Sequence, residues 1–212
     1  MKIMVVDTET SGLPLTSVSN PLSLHLFPYI LQLSYIIYDT ELDEITSSYD
    51  TLIKTDIEIS QESTNVHGIT QQKIQESGID LTAALTQFVT NVKTVDMLVG
   101  HNIKFDINMI KTELYRFLYP SVYADVIVTS KEVELFRDGS RILNQIQTYC
   151  TMAKTKSMCN IECINNATLK PYIKFPSLGE LHNHLFGYLP DDLHNSLIDC
   201  FITLKCYIHI KK

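Results

Sequence analysis

Ile3-Met4-Val5-Val6-Asp7-Thr8-Glu9-Thr10 is the stretch on which the reading of the whole chain turns. Four apolar residues in a row, three of them β-branched, predict a short strand covered on both faces. The run ends in acids. Asp7 and Glu9 are two apart, so in an extended chain both carboxylates leave the same face. Side by side they repel and raise each other's pKa unless a cation sits between them, and the run before them offers no basic partner. Paired hard oxygen ligands suit Mg²⁺ or Mn²⁺. On its own, D-x-E more often means two exposed acids at a strand end, so the rest of the chain has to decide.

Outward from this strand, Gly12 and Pro14 break the run and a Ser/Pro-rich loop follows through Pro28. Tyr29–Tyr38 (YILQLSYIIY) predicts a second strand, Tyr49–Ile53 a third, and Thr64–Thr70 (TNVHGIT) a turn. Asp80 is placed to cap a helix, because Leu81, Ala84, Leu85, Phe88 and Val92 fall at helical spacing. Met97–Val99 predicts a short strand closed by Gly100, and Ile107, Ile110, Leu114 and Phe117 predict a helix stopped by Pro120. Residues 120–147 give mixed helix signals with a turn at Asp138-Gly139, and Tyr149–Met152 reads as a last strand. Ser177-Leu178-Gly179-Glu180 has the spacing of a capping box for a helix through Phe186, and a final helix runs from about Asn195 to Ile210. No repeat, low-complexity tract or linker interrupts this order, so one α/β domain over residues 1–212 is the economical expectation.

Composition narrows the chemistry. A chain of 212 residues, 45% hydrophobic and 19% charged, suits a single globular domain. No run of about 18 apolar residues exists to span a membrane. The N-terminus reaches acids too early for a secretory signal, and five cysteines in the C-terminal third fit reduced thiols, so an intracellular setting, cytoplasmic or nuclear, is expected. A zinc site from Cys150, Cys159 and Cys163 with His182 or His184 lacks the usual paired spacing. The net charge of −7 argues against wrapping a long duplex, which depends on many Lys and Arg contacts to phosphates. A site gripping a few nucleotides through bound cations escapes that objection.

Two further acids and a histidine stand out. Asp106 follows Gly100-His101-Asn102 at the start of a helix, where an acid usually complements the macrodipole. Asp199 lies on a final helix apolar over most of its circumference, with Leu197, Phe201, Leu204 and Ile208 as one stripe and Ile198, Ile202 and Cys206 as another. A charge there is costly unless paired or bound to metal, and ligand and salt bridge stay open as readings. His194 is five residues before Asp199, an offset of about 140° on a regular helix. The two converge only if His194 precedes the helix with Asn195 as N-cap. A histidine beside such carboxylates is suited to take a proton from water.

Taken together, Val6-Asp7-Thr8-Glu9-Thr10-Ser11-Gly12-Leu13, Gly100-His101-Asn102-Ile103-Lys104-Phe105-Asp106 and His194-Asn195-Ser196-Leu197-Ile198-Asp199 resemble the DEDDh branch of the DnaQ-like 3′→5′ exonucleases. Asn65–Thr70 and Ser177–Leu181 also look like segments of that family. The resemblance implies an RNase H-like fold, a five-stranded mixed sheet flanked by helices with Asp7 and Glu9 on its first strand. It assigns Asp7, Glu9, Asp106 and Asp199 as ligands of two Mg²⁺ (or Mn²⁺) ions and His194 as general base. It further implies that Leu13 wedges between the last two bases. Thr10, Asn102 and Phe105 join Leu13 as expected substrate contacts, although Phe105 reads equally as a core aromatic. Two departures from the family pattern stand out: the loop after Pro14 is long and apolar, and residues 120–147 match nothing in it and read as an insertion.

The expected reaction is hydrolysis at a single-stranded 3′ end, with DNA as the expected substrate and a nucleoside 5′-monophosphate as product. In that scheme one metal on Asp7 and Asp199 activates water for His194, and a second on Asp7, Glu9 and Asp106 stabilises the leaving 3′-oxygen. Two rivals remain: an RNA-trimming enzyme, and a nucleic-acid-binding module of the same fold without chemistry. The module should have lost at least one of the five catalytic positions, and all five are present. A polymerase partner and the oligomeric state are not legible.

Overall fold

The computed structural model describes residues 1–17, 23–119 and 129–212. Its centre is a five-stranded sheet of β1 (Lys2–Thr10), β2 (Ile30–Asp39), β3 (Glu44–Leu52), β4 (Met97–Gly100) and β5 (Gln147–Cys150), in the order β3-β2-β1-β4-β5. β2 runs antiparallel to both β1 and β3, while β1, β4 and β5 run parallel. This is the expected RNase H-like α/β sheet. The helices are α1 (Gln61–His67), α2 (Gln71–Ser77), α3 (Leu81–Val92), α4 (Ile103–Leu118), α5 (Ser130–Gln145), α6 (Thr151–Cys159), α7 (Leu178–Phe186) and α8 (Ser196–Lys211).

Alternation along β1 builds the layers. Ile3 and Val5 face one side, where Ile36, Met97 and Val99 meet Cys200, Leu204 and Tyr207 of α8. Met4 and Val6 face the other, where Leu33, Tyr35 and Leu98 meet Phe88 of α3, Ile110 and Leu114 of α4, and Phe136 of α5. The sheet is therefore sandwiched, and strands buried on both faces read as continuous apolar runs. Because odd-numbered positions point toward α8, Asp7 and Glu9 point that way too.

Several boundaries differ from the sequence reading, each for a physical reason. The third strand starts at Glu44, well before Tyr49, because it is an edge whose Glu44-Ile45-Thr46-Ser47-Ser48 segment is exposed and holds its place through the backbone ladder with β2. The predicted turn at 64–70 is half helix: the Ser60 side chain caps α1, which runs to His67 and stops at Gly68 (φ 67°). The predicted last strand ends at Cys150, and Thr151 begins α6. Asp138-Gly139 is no turn but the middle of α5. A Cβ at Gly139 would lie 2.5 Å from Val89 Cγ2, so the glycine lets α5 approach α3 closely. Phe201, read as part of an apolar stripe, is 43% exposed, because α8 turns Cys200 and Leu204 to the sheet and Ile202 and Cys206 to α7. Pro120 and residues 120–128 of the expected insertion lie outside the described residues, as do residues 18–22 of the loop after Pro14.

A two-stranded hairpin absent from the sequence reading, β6 (Glu162–Ile164) and β7 (Pro171–Ile173), stands apart from the main sheet. Its strands are three residues long and mostly exposed, so they leave little hydrophobic pattern. The Leu24–Pro28 segment is fastened to α4 by Arg116, which donates to the carbonyls of Leu24, Phe27 and Pro28. The Arg116 charge is met by buried Glu113 at 2.7 Å.

Candidate active site

β1 outruns its parallel neighbour. Its ladder with β4 covers Ile3 to Val5, so Asp7, Thr8, Glu9 and Thr10 extend past the end of β4. The backbone of Thr8 lacks a strand partner on that side, and the N-terminus of α4 supplies one. Asp106 Oδ1 accepts both the Thr8 N–H (3.0 Å) and the Thr8 hydroxyl (2.9 Å). Asp106 is thereby fixed, buried, beside the acidic end of β1. The crevice at the carboxyl ends of β1 and β4 is where open α/β sheets place their ligand sites.

α8 brings the fourth carboxylate from the opposite layer. Cys200 Sγ contacts the carbonyls of Val5 and Ser34, and buried Ser196 Oγ lies 2.5 Å from Ser34 Oγ. This first turn of α8 seats Asp199 over β1. Oxygens of Asp7, Glu9 and Asp199 lie within 4.8 Å of one another. Asp106 is not in that group; its Oδ1 is held by Thr8, and its charge acts on Asp7.

The electrostatics are those of acids with no lysine or arginine paired to them among the described residues. Burial, and then the charges of Asp106, Asp199 and Glu9, push Asp7 well above the usual carboxylate range. Burial followed by Asp199 and Asp106 raises Glu9 to about 8. Asp106 is raised to about 7 by burial against the opposing hydrogen bonds from Thr8. Burial lifts Asp199 to about 6, with the His194 N–H opposing it. Asp199 Oδ1 is buried without a hydrogen-bond partner among the described residues. Unpaired buried charges at this density are costly, and a divalent cation with oxygen preference would relieve them.

His194 stands where the helix geometry required, outside α8. It takes a left-handed conformation (φ 70°), and Asn195 caps the helix by accepting the Ile198 N–H. The His194 N–H donates to Asp199 Oδ2 (3.2 Å), joining the two residues through backbone rather than ring. The ring is exposed, and its charge adds to the forces that favour ionised Asp199.

A sequence model of a protein family described as exonuclease matches residues 4–207. This chain belongs to the exonuclease family. No curated protein sequence matches it. Among solved structures, it is similar to Exonuclease I of E. coli in complex with a dT13 oligonucleotide (15% identity, TM-score 0.63), covering 100% of this chain and 41% of that one. It is also similar to the zinc-bound form of the E. coli Exonuclease I–ssDNA complex (16%, 0.67), covering 99% and 40%. A moderately thermophilic Exonuclease I from Methylocaldum szegediense gives 19% and 0.65, with the same coverage of 99% and 40%. The chain thus spans about two-fifths of the length of these structures, and the likeness at such identity is one of fold.

Within this exonuclease-family chain the expected substrate contacts divide into two kinds. Leu13 is 82% exposed beside the acidic end of β1. Thr10 is buried with its hydroxyl on the Gly12 carbonyl (2.7 Å), so it shapes the turn that presents Leu13. Asn102 and Phe105 line a cavity of about 420 Å³ together with Leu15, Phe27, Lys104 and Asn108. Asn102 adopts φ 75° at the head of α4 and makes no side-chain cap, which leaves its amide to that cavity.

Two residues escaped the sequence reading. Thr8 orients Asp106, and nothing in D-T-E-T distinguishes an orienting threonine from a strand residue. His67, beside the C-cap of α1, accepts the Ile69 N–H at Nδ1 and faces the Thr10 carbonyl. Burial lowers its pKa, and it lies near enough to His194 for their charges to repel. Only its place in Asn65–Thr70 hinted at a role. The five cysteines are free thiols, and no cysteine joins a metal-binding group among the described residues.

Proposed function

We propose that this chain is a divalent-metal-dependent 3′→5′ exonuclease that shortens single-stranded DNA and releases nucleoside 5′-monophosphates. The observation that carries the reading is Asp199 Oδ1, buried and without a partner, within a group of carboxylates whose oxygens lie within 4.8 Å. Membership of the exonuclease family and the single-stranded DNA bound by the E. coli Exonuclease I structures support the reaction and the substrate. Residues 1–212 are read as one domain.

Asp7, Glu9, Asp106 and Asp199 would hold the metal, in our reading two Mg²⁺ ions. When bound, such cations lower the pKa of water and stabilise charge on the leaving oxygen. His194 accepts the proton of the attacking water, and Asp199 keeps the His194 backbone in place for it. His101 is the poorer base, because its Nε2 donates to the Pro176 carbonyl (3.0 Å), its Nδ1 meets Thr151 Oγ1 (3.0 Å), and burial lowers its pKa. Leu13 separates the terminal base from its neighbour, while Asn102 and Phe105 take up the strand in the adjoining cavity.

A gel time course with matched 5′-labelled single-stranded DNA, blunt duplex DNA and RNA tests this. Expected is a ladder of shortened labelled products, fastest from single-stranded DNA in Mg²⁺ and absent in excess EDTA. Intact single-stranded DNA in Mg²⁺, or release of the label as a mononucleotide, refutes the activity and its direction respectively; faster loss of RNA reassigns the substrate.

A further inference from the structure

Residues 151–176 carry four lysines (Lys154, Lys156, Lys170, Lys174) against one acid, Glu162, in a chain whose net charge is −7. Lys174 is closed off by Glu180 at 2.6 Å. Lys154, Lys156 and Lys170 form no ion pair with any described residue, and Lys154 and Lys170 are exposed. Two large aromatics stand beside them in the open. Tyr172 on β7 is 49% exposed, and Phe175 is 47% exposed with Lys156 Nζ 4.4 Å from its ring centroid. Neither ring belongs to a buried cluster of the fold.

The segment is also tied to the rim of the candidate site. His101, next to Asn102 at the head of α4, bonds Thr151 at the start of α6 and the Pro176 carbonyl just past β7. Both ends of the lysine-bearing segment are therefore fastened beside the cavity lined by Asn102, Lys104 and Phe105. A polyanionic strand meets repulsion from an acidic protein everywhere except where cations are gathered, and aromatic faces among those cations offer its bases a stacking surface.

We propose that α6 and the β6–β7 hairpin form a platform for the single strand upstream of its 3′-terminal nucleotides. Lys154, Lys156 and Lys170 meet phosphates, and Tyr172 and Phe175 stack bases. The platform deepens the exonuclease reading and rests on it for the direction of the strand.

The test measures binding without catalysis, by fluorescence anisotropy of labelled dT16 and of a dT3 trinucleotide with the whole chain in EDTA. A Lys154→Gln/Lys156→Gln/Lys170→Gln variant should lower the slope of log K against log salt by about 2, the share of three phosphates on a single strand. Tyr172→Ala/Phe175→Ala should weaken dT16 about tenfold, as loss of stacking does. Both variants should bind dT3 like the wild type, with unchanged melting curves. The lysine variant alters exposed charges and leaves the hairpin's packing intact, so it decides the matter if the aromatic variant misfolds. Wild-type-like binding of dT16 by the lysine variant overturns the platform, as do equal losses on dT3 and dT16 or no binding by the wild type. A hairpin variant that changes the oligomeric state in light scattering overturns it too, since the face is then a contact between copies. A wild type that binds dT16 in this pattern but shortens no strand in Mg²⁺ refutes the exonuclease reading and leaves the platform standing.

Discussion

His194 shows how much one backbone angle contributes. At φ 70° it sits outside α8 and hands its N–H to Asp199, so the ring is exposed beside the carboxylates. His194→Ala should lower turnover by roughly 10²–10⁴-fold, the usual worth of a positioned base, with little change in metal or oligonucleotide binding. Steady-state kinetics and a binding titration check this; a variant with unchanged turnover removes His194 from the role. Asp7 makes the complementary case. Asp7→Asn should abolish hydrolysis and raise the metal-free melting temperature by about 2 °C or more, because one of the mutually repelling charges disappears. Calorimetry in EDTA decides it, and a lower melting temperature would contradict the repulsion described here. At this scale the sequence was informative: D-x-E spacing put both acids on one face, and the offset between His194 and Asp199 required the helix to start after the histidine. Thr8 was invisible and His67 was hinted at only by its segment, since their importance lies in what they touch.

α5 is the element that the sequence misread. Asp138-Gly139 has the composition of a turn, yet Thr129 and Glu132 form a full capping box and the helix runs through to Gln145. Glycine earns its place there by its lack of a side chain, with Val89 of α3 against it. Gly139→Ala therefore sets a helix-propensity gain of about 1 kcal/mol against overpacking of about 1–3 kcal/mol. A net loss of about 1 kcal/mol is expected, seen as a fall of about 2–4 °C in melting temperature. An unchanged or higher value would mean that α5 shifts freely on α3. Propensity reads local preference, and the contact between α3 and α5 joins residues about fifty positions apart. The capping box at Ser177 and the cap at Asp80 were legible for the opposite reason, being local hydrogen bonds within three residues.

Across the whole molecule the four carboxylates couple stability to pH and to metal. Glu9, Asp106 and Asp199 are raised to about 8, about 7 and about 6 from ordinary values near 4. Acids raised on folding favour the folded state while protonated, so their contribution is present below pH about 4 and is lost as pH climbs through the raised values. In EDTA the melting temperature should fall between pH 5 and 8, and saturating Mg²⁺ should restore it, by an amount that grows with pH. A gap between the two curves that stays flat or narrows toward pH 8 would contradict this. The sequence by itself determined the strand and its paired acids, the amphipathic helices and the order of the motifs, because each follows from periodicity and neighbouring residues. The tertiary structure alone decided that Asp106 turns to Thr8, that Asp199 keeps a buried oxygen without a partner among the described residues, and that the lysine-bearing segment is fastened at both ends to His101. These depend on where β4 ends beside β1 and on which layer carries α8, and such through-space relations leave no trace in local pattern.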